Sequence, residues 1–242
     1  MELLLLSNSR PSGRPMFTHA KDALTDFVGD RRVLFVPYAL ADHDGYVAQV
    51  ARALGAFGIE VTGAHAEPDP VAAVRSAAVV FVGGGNTFRL LRALQTLGLV
   101  SVLREVVRAG TRYIGASAGT NMACPSLRTT NDMPIVQPSS FEALGLLPFQ
   151  INPHYLDPDP SSTHMGETRE QRLVEYLEEN EPPVLGLREG SWLRVSGATA
   201  TLGGPHPARL FERGRDPREL PAGADVSALL RPPAADASIR TG

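Results

Sequence analysis

Short apolar runs alternate along the first half of the chain with segments whose apolar residues recur at helical spacing. Residues 3–6, 33–37, 59–62, 79–82 and 113–115 read as strands. The runs at 33–37 and 79–82 lack a polar alternate, the pattern of a strand covered on both faces. Residues 17–28, 45–57, 70–75, 88–97 and 101–108 read as helices, the last with Val102, Leu103, Val106 and Val107 along one side. Strand and helix in alternation predict an α/β fold, a mostly parallel sheet flanked by helices on both faces.

The second half has a different texture. Residues 129–160 are rich in Pro, Asn, Asp and Ser and read mainly as loop, with a strand at 147–151. A charged helix is expected over 167–179, with Leu173, Val174 and Leu177 on one face. Strands are expected at 184–187 and 192–195, and a third at 198–202. Residues 231–242, rich in Pro and Ala, read as a flexible tail. No repeat or low-complexity linker divides residues 1–230, which read as a single domain.

Composition narrows the function classes. Hydrophobic residues make up 43% of the 242 and charged residues 20%, enough apolar content for a large core. A net charge of -3 without a basic stripe argues against a nucleic-acid partner. The four leucines at 3–6 fall short of the roughly 7 apolar residues of a signal-peptide core and lack a basic lead. No apolar run approaches the roughly 18 residues of a membrane helix. Cys124 is the single cysteine, so no internal disulfide is available and a cytoplasmic location is expected.

One candidate for chemistry is Gly115-Ala116-Ser117-Ala118-Gly119, between a predicted strand and a helix. This matches the G-x-S-x-G elbow, in which a strained turn presents the serine and small neighbours let strand and helix approach. The N–H of Ala118, at the helix start, would face a developing oxyanion. Gly83-Gly84-Gly85-Asn86-Thr87 also lies between strand and helix. Neither phosphate-loop spacing is present; a second oxyanion donor, from Gly84 or Gly85, is the more economical reading beside a plain turn. Asn86 is a candidate side-chain donor to substrate.

A serine nucleophile needs a base, and there are six histidines. His154, in Asn152-Pro153-His154-Tyr155 after a predicted strand, is the best placed. His43 lies between Asp42 and Asp44, but no second ligand has zinc spacing, and no metal or other cofactor is expected. Two carboxylates compete to orient the histidine: Asp132, before it in the chain, and Glu189, after it. Cys124, two helical turns beyond Ser117, reads as a buried structural thiol.

Several stretches together resemble peptidase E, the α-aspartyl dipeptidase family. They are Met1-Glu2-Leu3-Leu4-Leu5-Leu6-Ser7-Asn8-Ser9, Val82-Gly83-Gly84-Gly85-Asn86-Thr87-Phe88 and Gly115-Ala116-Ser117-Ala118-Gly119, then Arg128-Thr129-Thr130-Asn131-Asp132-Met133-Pro134-Ile135-Val136, Gln150-Ile151-Asn152-Pro153-His154 and Gly166-Glu167-Thr168-Arg169-Glu170-Gln171-Arg172. The segment at 10–14 and the chain after about residue 202 match poorly, and Ala116 stands where relatives can carry an aromatic. The resemblance implies a fold similar to class I glutamine amidotransferases, with serine in place of their cysteine. It implies hydrolysis of dipeptides with an N-terminal aspartate, Ser117 as nucleophile and His154 as base. It favours Glu189 as the third member, with Asp132 left as the rival or as a partner of the substrate amine. A homodimer is also implied. Arg169 is the candidate reader of the aspartate side chain, because a planar guanidinium suits a carboxylate. A β-aspartyl peptidase similar to cyanophycinase, a glutaminase and a binding module without turnover remain the alternatives.

Overall fold

The computed structural model describes residues 1–231 except Pro11, Ser162 and His164. The expected tail therefore lies outside the described residues from 232 onward. Strands β1 (Glu2–Leu6), β2 (Val33–Val36), β3 (Val61–Gly63), β4 (Val79–Val82) and β5 (Arg112–Ala116) pair in parallel, in the order β3-β2-β4-β5-β1. The sheet continues through antiparallel β8 (Trp192–Ser196) and β9 (Thr199–Gly203), giving seven strands.

Successive strand residues face opposite sides, so each parallel strand feeds two cores. Leu3, Leu5, Val36, Val80, Val82 and Tyr113 pack on one face. There they meet α3 (Pro70–Ser76), α4 (Thr87–Thr96), α5 (Leu99–Ala109) and α6 (Ala118–Ala123). Leu4, Leu6, Phe35, Phe81 and Ile114 pack on the other, against α1 (Lys21–Val28) and α2 (His43–Gly55). Leucines 3 to 6 are all fully buried, as a strand with no polar alternate requires.

A second sheet of four strands has the order β11-β10-β7-β6. It comprises β6 (Gln150–Tyr155), β7 (Val184–Arg188), β10 (Ala208–Phe211) and β11 (Arg218–Leu220). Helix α7 (Arg169–Glu179) lays Leu173 and Leu177 against Tyr155, Val184 and Phe211 of this sheet.

One expected strand needs correction. The strand expected at 147–151 is displaced: β6 starts at Gln150 and runs through Pro153 and His154. It tolerates the proline because its parallel register with β7 breaks between Pro153 and Tyr155. The strands at 184–187 and 192–195, adjacent in sequence, belong to different sheets. β10 and β11 were not anticipated.

Among the described residues no helix is long and apolar enough to cross a membrane.

Candidate active site

The C-terminal ends of β1, β4 and β5 lie side by side in the large sheet, and the candidate residues leave from them. Crevices beyond the carboxyl ends of parallel strands are where α/β sheets hold ligands.

From β5 the chain turns through Ser117 into α6. Ser117 sits at φ 53°, ψ -110°, a backbone setting that costs an L-residue roughly 1–3 kcal/mol. Surrounding bonds hold it there: its N–H donates to Leu6 O at 3.1 Å, and its carbonyl accepts from the N–H of Thr120 and Asn121. Gly119 crosses so close to β4 that a Cβ would lie 2.0 Å from Val82 O. The elbow glycine is thus a steric requirement. The N–H of Ala118 belongs to the first residue of α6 and has no intrahelical acceptor.

The glycine run lies against this turn. A Cβ on Gly84 would lie 3.1 Å from both the Ser117 Cβ and Ala116 O, so the backbone itself lines the site. Among the described residues, no hydrogen-bond partner takes the N–H of Gly85 or of Ala118. Asn86 makes two side-chain bonds away from Ser117. Its Oδ1 caps α4 by accepting from Arg89 N–H at 3.0 Å, and its Nδ2 donates to Met133 O at 2.9 Å. These bonds use the amide oxygen and one of its two N–H donors, and Asn86 does not line the cavity that holds Ser117.

His154 reaches Ser117 from the second sheet. It too has positive φ, 54°, at the register break of β6. Its N–H donates to Ser7 Oγ at 2.9 Å, and the Ser7 hydroxyl donates to Leu187 O at 2.7 Å. A buried hydroxyl from the end of β1 thus pins both β6 and β7. The ring lies with Nε2 2.9 Å from Ser117 Oγ and Nδ1 2.6 Å from Glu189 Oε1. A carboxylate at Nδ1 assigns the proton there and leaves Nε2 as the acceptor facing the serine hydroxyl. Glu189 follows β7 directly and is steadied by Asn8, whose Oδ1 accepts from Gly190 N–H at 2.9 Å.

Among the described residues no hydrogen bond or ion pair joins Asp132 to His154. Asp132 Oδ2 accepts from Thr87 N–H at 2.7 Å and Thr87 Oγ1 at 2.5 Å, which ties its loop to the start of α4. The same loop supports the histidine indirectly, because Asn131 Nδ2 donates to Pro153 O at 2.8 Å. Asp132 still lines the cavity of about 530 Å³ that holds Ser117, His154, Gly84 and Gly85.

Arg169 opens α7 and is half-buried. Burial, and then Arg172, push its pKa down, while Glu189 and Asp132 pull the other way. Among the described residues it forms no ion pair. It does not line the cavity that holds Ser117 and His154, although the charges of Glu189 and Asp132 act on it.

His43 takes no part. Its ring packs edge-on against Tyr38, and Asp42 caps α2 by accepting from Gly45 N–H. Sequence reasoning passed over Ser7, Asn8 and His19. The half-buried ring of His19 lies near Trp192; burial lowers its pKa, opposed by the Asn8 backbone and by Glu189. Ser7 and Asn8 follow the leucine strand directly, and a polar pair at the carboxyl end of a buried strand is the signal that marks them.

Comparison with known proteins shows the family of the chain. The model of "Peptidase family S51" matches residues 3–203. A Streptomyces coelicolor protein named "Peptidase E" is 64% identical over 231 residues, covering 95% of each chain. A Drosophila melanogaster protein named "Probable alpha-aspartyl dipeptidase" is 51% identical, over 95% of this chain and 97% of its own. The crystal structure of a peptidase from an acI-B1 Actinobacterium superposes with a TM-score of 0.67 at 16% identity, over 93% of this chain and 96% of that one, a likeness of fold. With a family model spanning most of the chain and relatives above half identity over nearly all of it, the chain belongs to peptidase family S51.

Proposed function

We propose that this peptidase hydrolyses α-aspartyl dipeptides through an acyl-enzyme on Ser117. The observation that carries the reading is the imidazole of His154 held between Ser117 Oγ at 2.9 Å and Glu189 Oε1 at 2.6 Å. That is the nucleophile, base and orienter arrangement of acyl transfer.

Ser117 Oγ attacks the aspartyl carbonyl carbon as His154 Nε2 takes its proton. Glu189 holds the imidazole in the Nδ1–H form and stabilises the imidazolium. The N–H groups of Ala118 and Gly85 receive the oxyanion; loss of one such donor typically costs about 3 kcal/mol. The tetrahedral intermediate collapses, His154 protonates the leaving amine, and the C–N bond breaks. Water, deprotonated by His154, then attacks the ester; the C–Oγ bond breaks, His154 returns the proton to Ser117 Oγ, and aspartate is released.

Arg169 supplies the charge that meets the aspartate side chain, supported by its lack of an ion pair among the described residues and by the electrostatic reach of Glu189 and Asp132 to it. The free Oδ1 of Asp132 takes the substrate ammonium while Oδ2 stays with Thr87. The name of the Drosophila relative supports the α-aspartyl substrate. The single buried thiol suits a reducing compartment, and we favour a cytoplasmic location.

A panel of Asp-Leu, Glu-Leu, β-Asp-Leu and glutamine tests the reading. Asp-Leu alone should turn over well. Arg169→Ala should raise KM for Asp-Leu at least tenfold, the order of a charge-assisted pair. Equal rates on Glu-Leu or β-Asp-Leu would overturn the substrate assignment.

A further inference from the structure

Two cavities adjoin beside Ser117. The first, of about 530 Å³, holds Ser117 and His154 and is also lined by Arg10, Met16 and Gln49. The second, of about 570 Å³, shares those three residues and adds Arg14, Arg52 and Phe57. Among the described residues its wall combines an apolar patch, formed by Met16, Ala53, Ala56 and Phe57, with three arginines and no acidic residue. Lys21 adds a fourth cation, its Nζ 5.7 Å from the Phe57 ring centre.

Arg10 has an anchored backbone and a free head. The segment that carries it leaves β1 and is closed by Phe17 N–H donating to Ser9 O at 2.7 Å. Asn8 Nδ2 donates to Arg10 O at 3.0 Å, and the same side chain holds Gly190, next to Glu189. The Arg10 side chain is exposed, and among the described residues neither it nor Arg14 nor Arg52 forms an ion pair. Unpaired arginines beside a catalytic cavity face a ligand anion.

We infer that the second cavity is the subsite for the leaving residue, and that Arg10 takes the free carboxylate of a dipeptide. This rests on the reading of the site as an α-aspartyl dipeptidase. With the scissile carbonyl at Ser117, the carboxylate of the leaving residue lies one residue further on, roughly 3.5 Å along the chain. A guanidinium that reads it must border the catalytic cavity itself. Of the three arginines only Arg10 does; Arg14 and Arg52 line the outer cavity alone. The apolar patch then receives the leaving side chain. A longer peptide puts a neutral amide where the guanidinium needs an anion, and a cationic leaving residue meets like charge. Dipeptides with an apolar second residue are the favoured class.

The test is the ratio of kcat/KM for Asp-Leu to that for Asp-Leu amide, which differ only in the terminal carboxylate. The native protein should favour Asp-Leu by roughly tenfold or more. Arg10→Ala should bring the ratio to within about threefold of one, with Arg10→Lys between, since a point charge replaces only part of a bidentate contact. A native ratio near one, or a ratio that Arg10→Ala leaves unchanged, overturns the inference while leaving the dipeptidase reading intact. Cleavage of neither compound by the native protein overturns the dipeptidase reading and this subsite with it.

Discussion

Ser117 and His154 meet at 2.9 Å with both backbones at positive φ, 53° and 54°. They come from different sheets, one from the turn after β5 and the other from a break in β6. Strain at functional residues persists only where the surroundings over-determine it. Here hydrogen bonds to Leu6 and Ser7, at the end of β1, hold both positions.

Relief of that strain should separate stability from activity. Ser117→Gly removes a strain of roughly 1–3 kcal/mol and adds unfolded-chain freedom worth about 0.4–1 kcal/mol. A net gain of about 1 kcal/mol in unfolding free energy is expected, with activity on Asp-Leu lost by at least about three orders of magnitude. Ser117→Ala should lose activity equally without that gain. Denaturant melts and steady-state assays on both variants check this.

The two carboxylates should fail in different ways. Glu189→Gln removes the charge at His154 Nδ1 and should lower kcat by roughly two orders of magnitude or more with little change in melting temperature. Asp132→Ala strips the acceptor from Thr87 N–H and Oγ1 and should cost about 1–3 kcal/mol of stability. Asp132→Asn, which keeps an oxygen at that place, should recover part of it. Thermal melts beside kinetics distinguish the two roles.

Cys124 should be chemically silent. It is fully buried, and burial pushes its pKa up to about 12, with Ile151 N–H donating to Sγ in opposition. The thiolate is the reactive form. Iodoacetamide should leave the folded protein unmodified and active, whereas a fluorophosphonate should label Ser117 and abolish activity. Intact-mass measurements read both.

Acid should weaken the second sheet through Arg188. Its guanidinium donates to Asp157 and Glu219 and lowers the pKa of each below its ordinary value of 3.8 and 4.5. A carboxylate with a lowered folded pKa adds stability above its unfolded pKa and loses it as pH falls through the folded one. Both carboxylates are about half exposed, so each pair is worth only about 0–1 kcal/mol. Between about pH 6 and pH 3, the native protein should lose about 2–4 °C more in melting temperature than Arg188→Met does. Scanning calorimetry across that range checks the difference.

The centre of the first sheet was legible because β2, β4 and residues 3–6 of β1 are unbroken apolar runs and the helices beside them carry one apolar side. The elbow was legible because Gly115 and Gly119 answer a close approach that only glycine fits. The second sheet was harder. β10 and β11 are short and carry exposed charge at Arg218 and Glu219, so no run of apolar residues announces them. β6 contains Asn152, Pro153 and His154, which read as loop because a strand interior rarely accepts proline. The residues alone left Asp132 and Glu189 level as partners of His154, and only the family resemblance leaned to Glu189. Which one neighbours the imidazole is decided by the pairing of β6 with β7, a relation absent from local spacing. Asn86 carried a readable signal: an asparagine just before a helix is a cap before it is anything else.

Ser7 ties the two sheets together at the catalytic contact, with one hydroxyl joining the end of β1 to both β6 and β7. Turnover is therefore a local gauge of docking between the sheets. A slip of a few tenths of an ångström along that seam parts alcohol from imidazole while every strand keeps its own ladder, so catalytic competence is the first property forfeited when the halves loosen.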